Sequence, residues 1–188
     1  MRLRWLVMFI LALTSLSSWS HVSLLQISDY HQDQQLLFDA QLELQLTPRI
    51  IDAIHHEIPL QFVTHIKLNR RDQFFIFPYN TELVGIDYVT ELRYSRFYQR
   101  YTLHNLRNGN VEHFNQLNDA LKTLGTLAGF RLTNLNQMHS GLRYHIRLKF
   151  ELSYWTLPAP LLTQALIHPD WRLSSPWFEL PVQTGRRR

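Results

Sequence analysis

The sequence predicts an α+β, β-rich fold, formed mainly by antiparallel sheet or by a two-sheet sandwich, with two or three short helices. Apolar and polar residues alternate at every second position through much of the chain, and two further segments change to a helical period. Of the 188 residues, 45% are hydrophobic and 18% are charged, as in a folded domain. Alternation gives a strand one apolar and one solvated face, which is typical of antiparallel sheets that cover a core on one side.

The alternation is clearest in three segments of the chain. They are residues 36–46, 60–69 and 142–152, with mostly apolar residues at the even positions. Weaker strands are predicted for residues 24–30, 74–77, 89–94, 98–104, 111–114 and 177–182. A hairpin connection is expected at residues 95–97, and the dipeptide Asn108-Gly109 favours a tight turn.

Helices are predicted near residues 48–57 and 116–127, with a shorter one between residues 160 and 167. At the first of them, Thr47 is suited to cap the helix and Pro48 to occupy its first position, where no backbone amide is needed. Isoleucines then follow on one face. The second helix carries leucine and alanine residues at helical spacing, and Gly129 is expected to end it.

The first 20 residues have the three regions of a secretory signal peptide, namely a basic start, a short apolar stretch and small polar residues. We expect cleavage after Ser20 and a periplasmic or secreted protein. The alternative is an uncleaved segment that anchors the protein to the inner membrane, although the apolar stretch is shorter than the roughly 20 residues that span a bilayer. Residues 22–184 are predicted to form a single β-rich domain, followed by a basic tail at residues 185–188.

The basic character of the chain is concentrated at its two ends. The full chain carries 19 Lys and Arg residues against 15 Asp and Glu residues. Two of these arginines lie in the leader and three in the tail, so 14 basic and 15 acidic residues remain in the domain. Nucleic-acid binding needs a clustered cationic face, and a nearly neutral exported domain does not favour it. Membrane contact is expected only through an uncleaved leader or the basic tail.

The residue patterns predict no catalytic, cofactor-binding or metal site, and they do not favour an enzyme. The chain has no cysteine, which excludes a disulfide framework, a thiolate zinc site and a cysteine nucleophile. None of its ten histidines has the spacing of a metal-binding helix. His55 and His56 are adjacent, so their side chains would diverge by about 100° on a helix. No Gly-x-Ser-x-Gly elbow is present, and Asp39 and Glu43 are interpreted as solvated strand positions.

Aromatic and arginine residues interleave between positions 94 and 101. These residues are Tyr94, Arg96, Phe97, Tyr98, Arg100 and Tyr101. The segment is interpreted either as a hairpin that stacks on a ligand or partner, or as cross-strand pairing in which arginine stems cover apolar surface. Trp171 and Trp177, close to several prolines, are interpreted as structural residues that plug the end of a sheet.

Several motifs follow one another along the chain. They are LTPRIIDAI at residues 46–54, IPLQF at 58–62, LRY at 92–94, QRY at 99–101, LNDAL at 117–121, LPAPL at 157–161 and DWRLSSPW at 170–177. In this order they resemble an exported proteobacterial family described only as domain of unknown function 4390. The resemblance implies a secreted or periplasmic protein without an assigned activity, encoded by a gene in the neighbourhood of membrane sensor kinases. It supplies no catalytic residues to transfer to this chain.

The leading functional prediction is a non-catalytic periplasmic interaction or accessory protein of the cell envelope, with an envelope protein or sensor as its partner. Two alternatives remain open. One is a carrier that binds an apolar ligand or lipid between sheet and helix, in a cavity lined by Phe62, Phe150 and Tyr154. The other is an unrecognised hydrolase, which needs buried, hydrogen-bonded polar residues with shifted pKa values in a cleft.

Overall fold

The computed structural model of the chain describes residues 21–75, 77–139 and 141–183, so the predicted leader and basic tail lie outside the described residues. The described part contains nine strands and three α-helices. The strands are β1 (His21–Gln32), β2 (Gln35–Gln45), β3 (Leu60–Phe74), β4 (Phe77–Ser95), β5 (Arg100–Asn105), β6 (Val111–Phe114), β7 (Thr126–Asn134), β8 (Arg143–Ser153) and β9 (Phe178–Pro181). The helices are α1 (Pro48–His55), α2 (Leu117–Leu124) and α3 (Ala159–Ile167).

Two antiparallel sheets make up the fold. The smaller sheet has the strand order β1-β2-β7, and the larger has the order β6-β5-β4-β3-β8-β9. All neighbouring strands in both sheets are antiparallel. The predicted α+β, β-rich class is therefore confirmed. Hairpins join β1 to β2 and β3 to β4, whereas β7 and β8 pair with strands from much earlier in the chain.

The apolar faces of both sheets contribute to one buried core. In the central strands β3 and β8, Phe62 and Phe150 are fully buried and stack with their ring centroids 5.7 Å apart. The ring centroid of Phe130 in β7 lies 5.5 Å from that of Phe38 in β2 and 6.0 Å from that of Tyr88 in β4. Aromatic side chains therefore join the two sheets. Full burial of a phenylalanine side chain stabilises a fold by roughly 1.5–3 kcal/mol, which makes this aromatic layer a main source of stability.

Helix α1 begins where the sequence predicts it. Thr47 Oγ1 accepts a hydrogen bond from the Ile50 amide at 3.3 Å and donates one to the Asp170 carbonyl at 2.7 Å. One side chain therefore caps the helix and attaches it to the C-terminal segment. Pro48 occupies the first helical position, and the helix ends at His55, slightly before the predicted end.

The second helix is shorter than predicted, and a strand follows it. Helix α2 ends at Leu124 and β7 begins at Thr126, so the predicted helix end at residue 127 and the predicted stop at Gly129 are wrong. Gly125 lies against β2, because its carbonyl accepts a hydrogen bond from the Leu42 amide at 2.8 Å. A Cβ at Gly125 would lie 2.4 Å from the Leu42 carbonyl oxygen. Gly129, with φ of 58°, lies at an irregularity of β7.

The hairpin of β3 and β4 is longer than the sequence indicates. Its strands pair from Leu60 opposite Leu92 to Phe74 opposite Phe77, so Phe74 and Phe77 belong to two paired strands and not to one separate strand as predicted; residue 76 lies outside the described residues. Strand β4 starts well before the predicted residue 89, and β5 starts at Arg100 instead of residue 98. In the outer part of the hairpin Arg71, Gln73, Tyr79 and Asn80 are exposed, and the sequence there does not alternate apolar and polar residues. The three clearest predicted strands correspond to β2, β3 and β8.

Candidate functional site

The larger sheet has an outer face that is polar and charged. Cross-strand partners share a face of a sheet, so the strand register identifies which residues lie together. We call the outward-facing residues of β3, β4, β8 and β9 the charged face. It comprises Gln61, His65, Lys67, Asn69, Arg71, Asn80, Glu82, Asp87, Glu91, Arg143, His145, Arg147, Lys149, Glu151 and Glu179.

One end of this face, the carboxylate end, is a connected network around His65 and Glu151. His65 Nδ1 lies 2.8 Å from Asp87 Oδ1, and His65 Nε2 lies 3.3 Å from Glu151 Oε1. Lys149 Nζ lies 2.6 Å from Glu151 Oε2, and the Ser174 hydroxyl donates to the same oxygen at 3.1 Å. Burial opposes ionisation of Glu151, but the hydrogen bonds from Lys149, Ser174 and His65 outweigh it and lower its pKa.

The carboxylate end does not pair a serine with a histidine base. Ser174 donates its hydroxyl hydrogen to Glu151 and not to the imidazole of His65, so the acceptor of this hydrogen is a carboxylate. A carboxylate with a lowered pKa, paired with Lys149, is also a weak base. Each polar group of the network has a partner within it, which is typical of a structural role.

Trp177 covers the middle of the charged face. The Arg147 guanidinium lies 4.7 Å from its ring centroid and Lys67 Nζ lies 5.7 Å from it. Each of these cations also has a carboxylate, since Lys67 Nζ lies 2.7 Å from Glu82 Oε2 and Arg147 Nε lies 2.9 Å from Glu179 Oε1. Trp177 thus packs on cations of the sheet face and does not plug the end of the sheet.

The opposite end, the arginine end, is built differently. Arg71 of β3 lies directly opposite Arg143 of β8 and also opposite Asn80 of β4. These three residues and His145 line a groove of about 390 Å³. Within the part of the chain that the structure describes, neither Arg71 nor Arg143 has an ion pair, and the groove's carboxylate, Glu179, is paired with Arg147.

The pKa of His145 is lowered at the arginine end. Burial lowers the pKa of this imidazole, and the positive charges of Arg147 and Arg71 lower it further, while Glu179 opposes the shift. The lowered pKa favours the neutral imidazole over the imidazolium form. A neutral histidine beside two arginines is able to donate or accept a hydrogen bond without adding a fixed charge.

The two residues central to the predicted apolar cavity occupy the core instead. Phe62 and Phe150 are fully buried and stack on each other. Tyr154 lines a separate surface groove of about 420 Å³ with Ser174 and Trp155. The structure thus does not bring the three residues together around one ligand space.

A third groove lies between α1 and α3 and measures about 730 Å³. Trp171 forms part of its wall and is 1% exposed. The Trp171 indole nitrogen has no hydrogen-bond partner among the described residues, but it is itself shielded from solvent. At the rim, Arg49 Nε lies 3.5 Å from Asp170 Oδ2.

The aromatic and arginine segment near residues 94–101 is divided in its use, because Tyr94 and Tyr101 pack whereas Phe97 and Tyr98 are exposed. Tyr94 and Tyr101 are cross-strand partners, with ring centroids 4.8 Å apart. Tyr101 Oη lies 2.8 Å from His55 Nε2, and Arg96 Nε donates to the His55 carbonyl at 3.1 Å. The interpretation as cross-strand pairing is therefore confirmed for Tyr94 and Tyr101. The contacts of Tyr101 and Arg96 with His55 hold α1 against strands β4 and β5 and the turn between them.

Strand β4 has an open edge, meaning that the outer side of residues 77–88 has no strand partner among the described residues. Strand β5 covers only Thr90 to Ser95, and the Leu106 amide donates to the Val89 carbonyl at 2.9 Å. On this edge Tyr79 and Leu83 are exposed. The register with β3 shifts next to Leu83, which leaves that residue as the extra one of a bulge.

Within residues 21–75, 77–139 and 141–183, no three His, Asp or Glu residues are grouped so that they could bind a metal ion. Across the same described ranges, no helix has the length and apolar character required to span a bilayer.

The fold and this surface define a class of protein, a β-rich domain of two antiparallel sheets with a charged outer sheet face. The chain belongs to the family described as Domain of unknown function (DUF4390), whose model matches residues 20–181. The resemblance noted in the sequence motifs is thereby confirmed. No curated protein and no solved structure matches the chain at a significant level.

Proposed function

We propose that this protein is a non-catalytic interaction protein of the cell envelope that binds a partner protein along the open edge of β4. The single observation behind the proposal is the unpaired outer side of residues 77–88. An exposed sheet edge offers a row of backbone donors and acceptors, and an extended segment of a partner can pair with it as an added strand. Twelve residues exceed the usual strand length of about 5–6 residues.

The side chains of β4 suggest the chemistry of the partner. On the inner face, Val84, Ile86 and Tyr88 are half-buried apolar residues that pack against the core. On the outer face, Glu82 and Asp87 are exposed. A strand with apolar residues on its inner face would extend the apolar layer beside Val84, Ile86 and Tyr88. Its outer face would be polar, next to Glu82 and Asp87, which already pair with Lys67 and His65.

Crosslinking in living cells tests this interaction. A photo-crosslinking amino acid at Tyr79 or Leu83 is expected to capture one envelope protein, because both side chains are exposed on the open edge. The same probe at Lys122, on the surface of α2, is the control. A probe at Leu25 tests the edge of the smaller sheet, where β1 is the outer strand. Capture at Leu25 or Lys122 but not at Tyr79 and Leu83 contradicts the proposal.

A disrupting variant makes this test specific to the edge. Leu83→Lys places a charge on the bulge of an edge strand, a substitution that natural proteins use to prevent strand addition. We expect the Tyr79 crosslink to disappear while circular dichroism of the purified variant stays unchanged. An unchanged crosslink in the folded variant shows that the partner does not add as a strand.

We further propose that the protein is exported with its leader cleaved after Ser20. The basic start, apolar stretch and small-residue end of the leader support this. Mass spectrometry of the protein from a periplasmic fraction is expected to give a mature chain that begins at His21. A full-length chain in the membrane fraction supports the anchored alternative instead.

A further inference from the structure

The arginine end of the charged face carries more positive charge than the described residues neutralise. Arg71 and Arg143 are direct cross-strand partners, so their Cβ atoms lie about 4.5–5.5 Å apart. Like charges in this arrangement destabilise a sheet. The other three cations of the charged face, Lys67, Arg147 and Lys149, each have a carboxylate within 2.9 Å. The unpaired arginines are therefore an exception on their own face.

The groove next to these arginines supplies further hydrogen-bond donors. Asn80 lies in the same row as Arg71 and Arg143, and His145 lies one row further along β8. All four side chains line the groove of about 390 Å³. Both arginines are exposed, so their guanidinium groups are accessible from solvent.

The donors match a phosphate group better than a carboxylate. One guanidinium can bind two oxygens of a carboxylate or a phosphate with parallel hydrogen bonds. A carboxylate has only two oxygens and is satisfied by one arginine. A phosphate monoester has three terminal oxygens and up to two negative charges, so it can accept from Arg71, Arg143 and Asn80 at the same time.

We propose that the arginine end is a binding site for a phosphate group, carried by a soluble phosphate ester or by a lipid headgroup. The site shares Asn80 of β4 with the segment that forms the open edge. Its two arginines and its ligand are different, so it does not depend on the proposed function. Arg71 and Arg143 bind the phosphate oxygens, Asn80 donates an additional hydrogen bond, and Glu179 on the groove wall limits the affinity.

Calorimetric titration of the purified mature protein tests the site. The probes are inorganic phosphate and glycerol 3-phosphate, and the key variant is Arg71→Gln combined with Arg143→Gln. Loss of two charge-assisted contacts is expected to weaken binding by about tenfold or more. The matched control is Lys122→Gln combined with Arg131→Gln, which removes the same charge from exposed positions on α2 and β7. This control is expected to bind within about twofold of the unmodified protein.

Vesicle sedimentation distinguishes the two sources of phosphate. If the ligand is a lipid headgroup, the protein co-sediments with vesicles that contain phosphatidic acid, whose headgroup is a phosphate monoester, but not with phosphatidylcholine vesicles. The double arginine variant then stays in solution. If the ligand is a soluble ester, glycerol 3-phosphate saturates the site and the vesicles give no Arg71-dependent sedimentation. Both results support a phosphate site.

A third variant tests whether the negative charge of Glu179 opposes anion binding in the groove. Glu179→Gln removes the negative charge of the groove wall, so we expect tighter binding of whichever probe binds. The proposal is overturned if neither the soluble probes nor anionic vesicles bind, or if the double arginine variant and the control bind equally well. Because the crosslinking test concerns the β4 edge, a failure here leaves that test unaffected.

Discussion

The two ends of the charged face use the same residue types in opposite ways. At the carboxylate end, His65, Asp87, Lys149 and Glu151 are within 3.3 Å of one another in successive pairs. At the arginine end, Arg71 and Arg143 are opposite each other and neither forms an ion pair with a carboxylate of the described residues, since Glu179 in the same groove pairs with Arg147. Both ends lie on the same strands, β3 and β8, so the difference arises from the side chains and not from the backbone.

This difference separates a structural network from a candidate binding site. A network whose members hydrogen-bond to one another stabilises the fold and leaves no unpaired donor or acceptor for a ligand. Unpaired like charges cost stability in the free protein, and that cost is recovered only when an anion binds. Stability measurements on the two ends are therefore expected to give opposite signs.

The largest effect is expected at the carboxylate end. Glu151→Ala removes the acceptor that Lys149, Ser174 and His65 share. We expect a loss of about 1–3 kcal/mol in the free energy of unfolding, because partly buried donors lose their partner. Urea denaturation measures this loss. Glu43→Gln, at an exposed position of β2 with one long hydrogen bond of 3.3 Å from Ser23, is the control and is expected to change little.

A smaller effect on the free energy of unfolding is expected from the ionisation of Glu151 and of His145, each in its own pH range. The folded-state pKa of Glu151 lies below its ordinary value of 4.5, so its contribution to stability is present above pH 4.5 and is lost as the pH falls through the folded-state pKa. The folded-state pKa of His145 lies below its ordinary value of 6.5, so folding favours the neutral imidazole. Stability is then full above pH 6.5 and decreases as the pH falls below that value.

Two variants show which residue causes the change in stability in each pH range. His145→Gln is expected to flatten the stability curve just below pH 6.5, and Glu151→Gln is expected to flatten it below pH 4.5. The groups that face His145 are Arg71 of β3, Glu179 of β9, and Arg143 and Arg147 of its own strand. A curve whose slope near pH 6 is the same with and without His145 contradicts the lowered pKa of this imidazole.

The smallest effect, and the one of opposite sign, is expected from a single arginine. Arg143→Gln removes one member of the like-charge pair, so we expect the protein to be more stable by a few tenths of a kcal/mol at low salt. Thermal unfolding with and without added sodium chloride measures it. A variant that is less stable than the unmodified protein shows that Arg143 has a stabilising partner.

Much of the fold follows from local sequence. Period-two alternation located β2, β3 and β8, and Thr47-Pro48 located the start of α1, because burial on one face and capping are properties of a few neighbouring residues. The motifs between residues 46 and 177 identified the family. Strand β7 was missed, because Leu127 fits a helical period as well as a strand and Gly125 ends the helix through a contact with β2.

The candidate sites depend on distant residues. Arg71 and Arg143 are ordinary polar positions of two amphipathic strands, and the sequence does not show that the register places them opposite each other. The signal that could have pointed to them is the absence of a nearby acidic residue at the start of β8. The open edge of β4 likewise exists because β5 is shorter than β4 and covers only one end of it.

The sequence by itself determined the class of fold, the faces of its main strands, the start of the first helix and the family. These properties are encoded by spacing within short segments, where each residue responds to its immediate neighbours. Tertiary structure alone decided which strands pair and in which register, and hence which charges are neutralised and which edge stays open. Period two specifies the face of a side chain but not the partner strand, so the arginine end and the open edge arise only when distant segments come together.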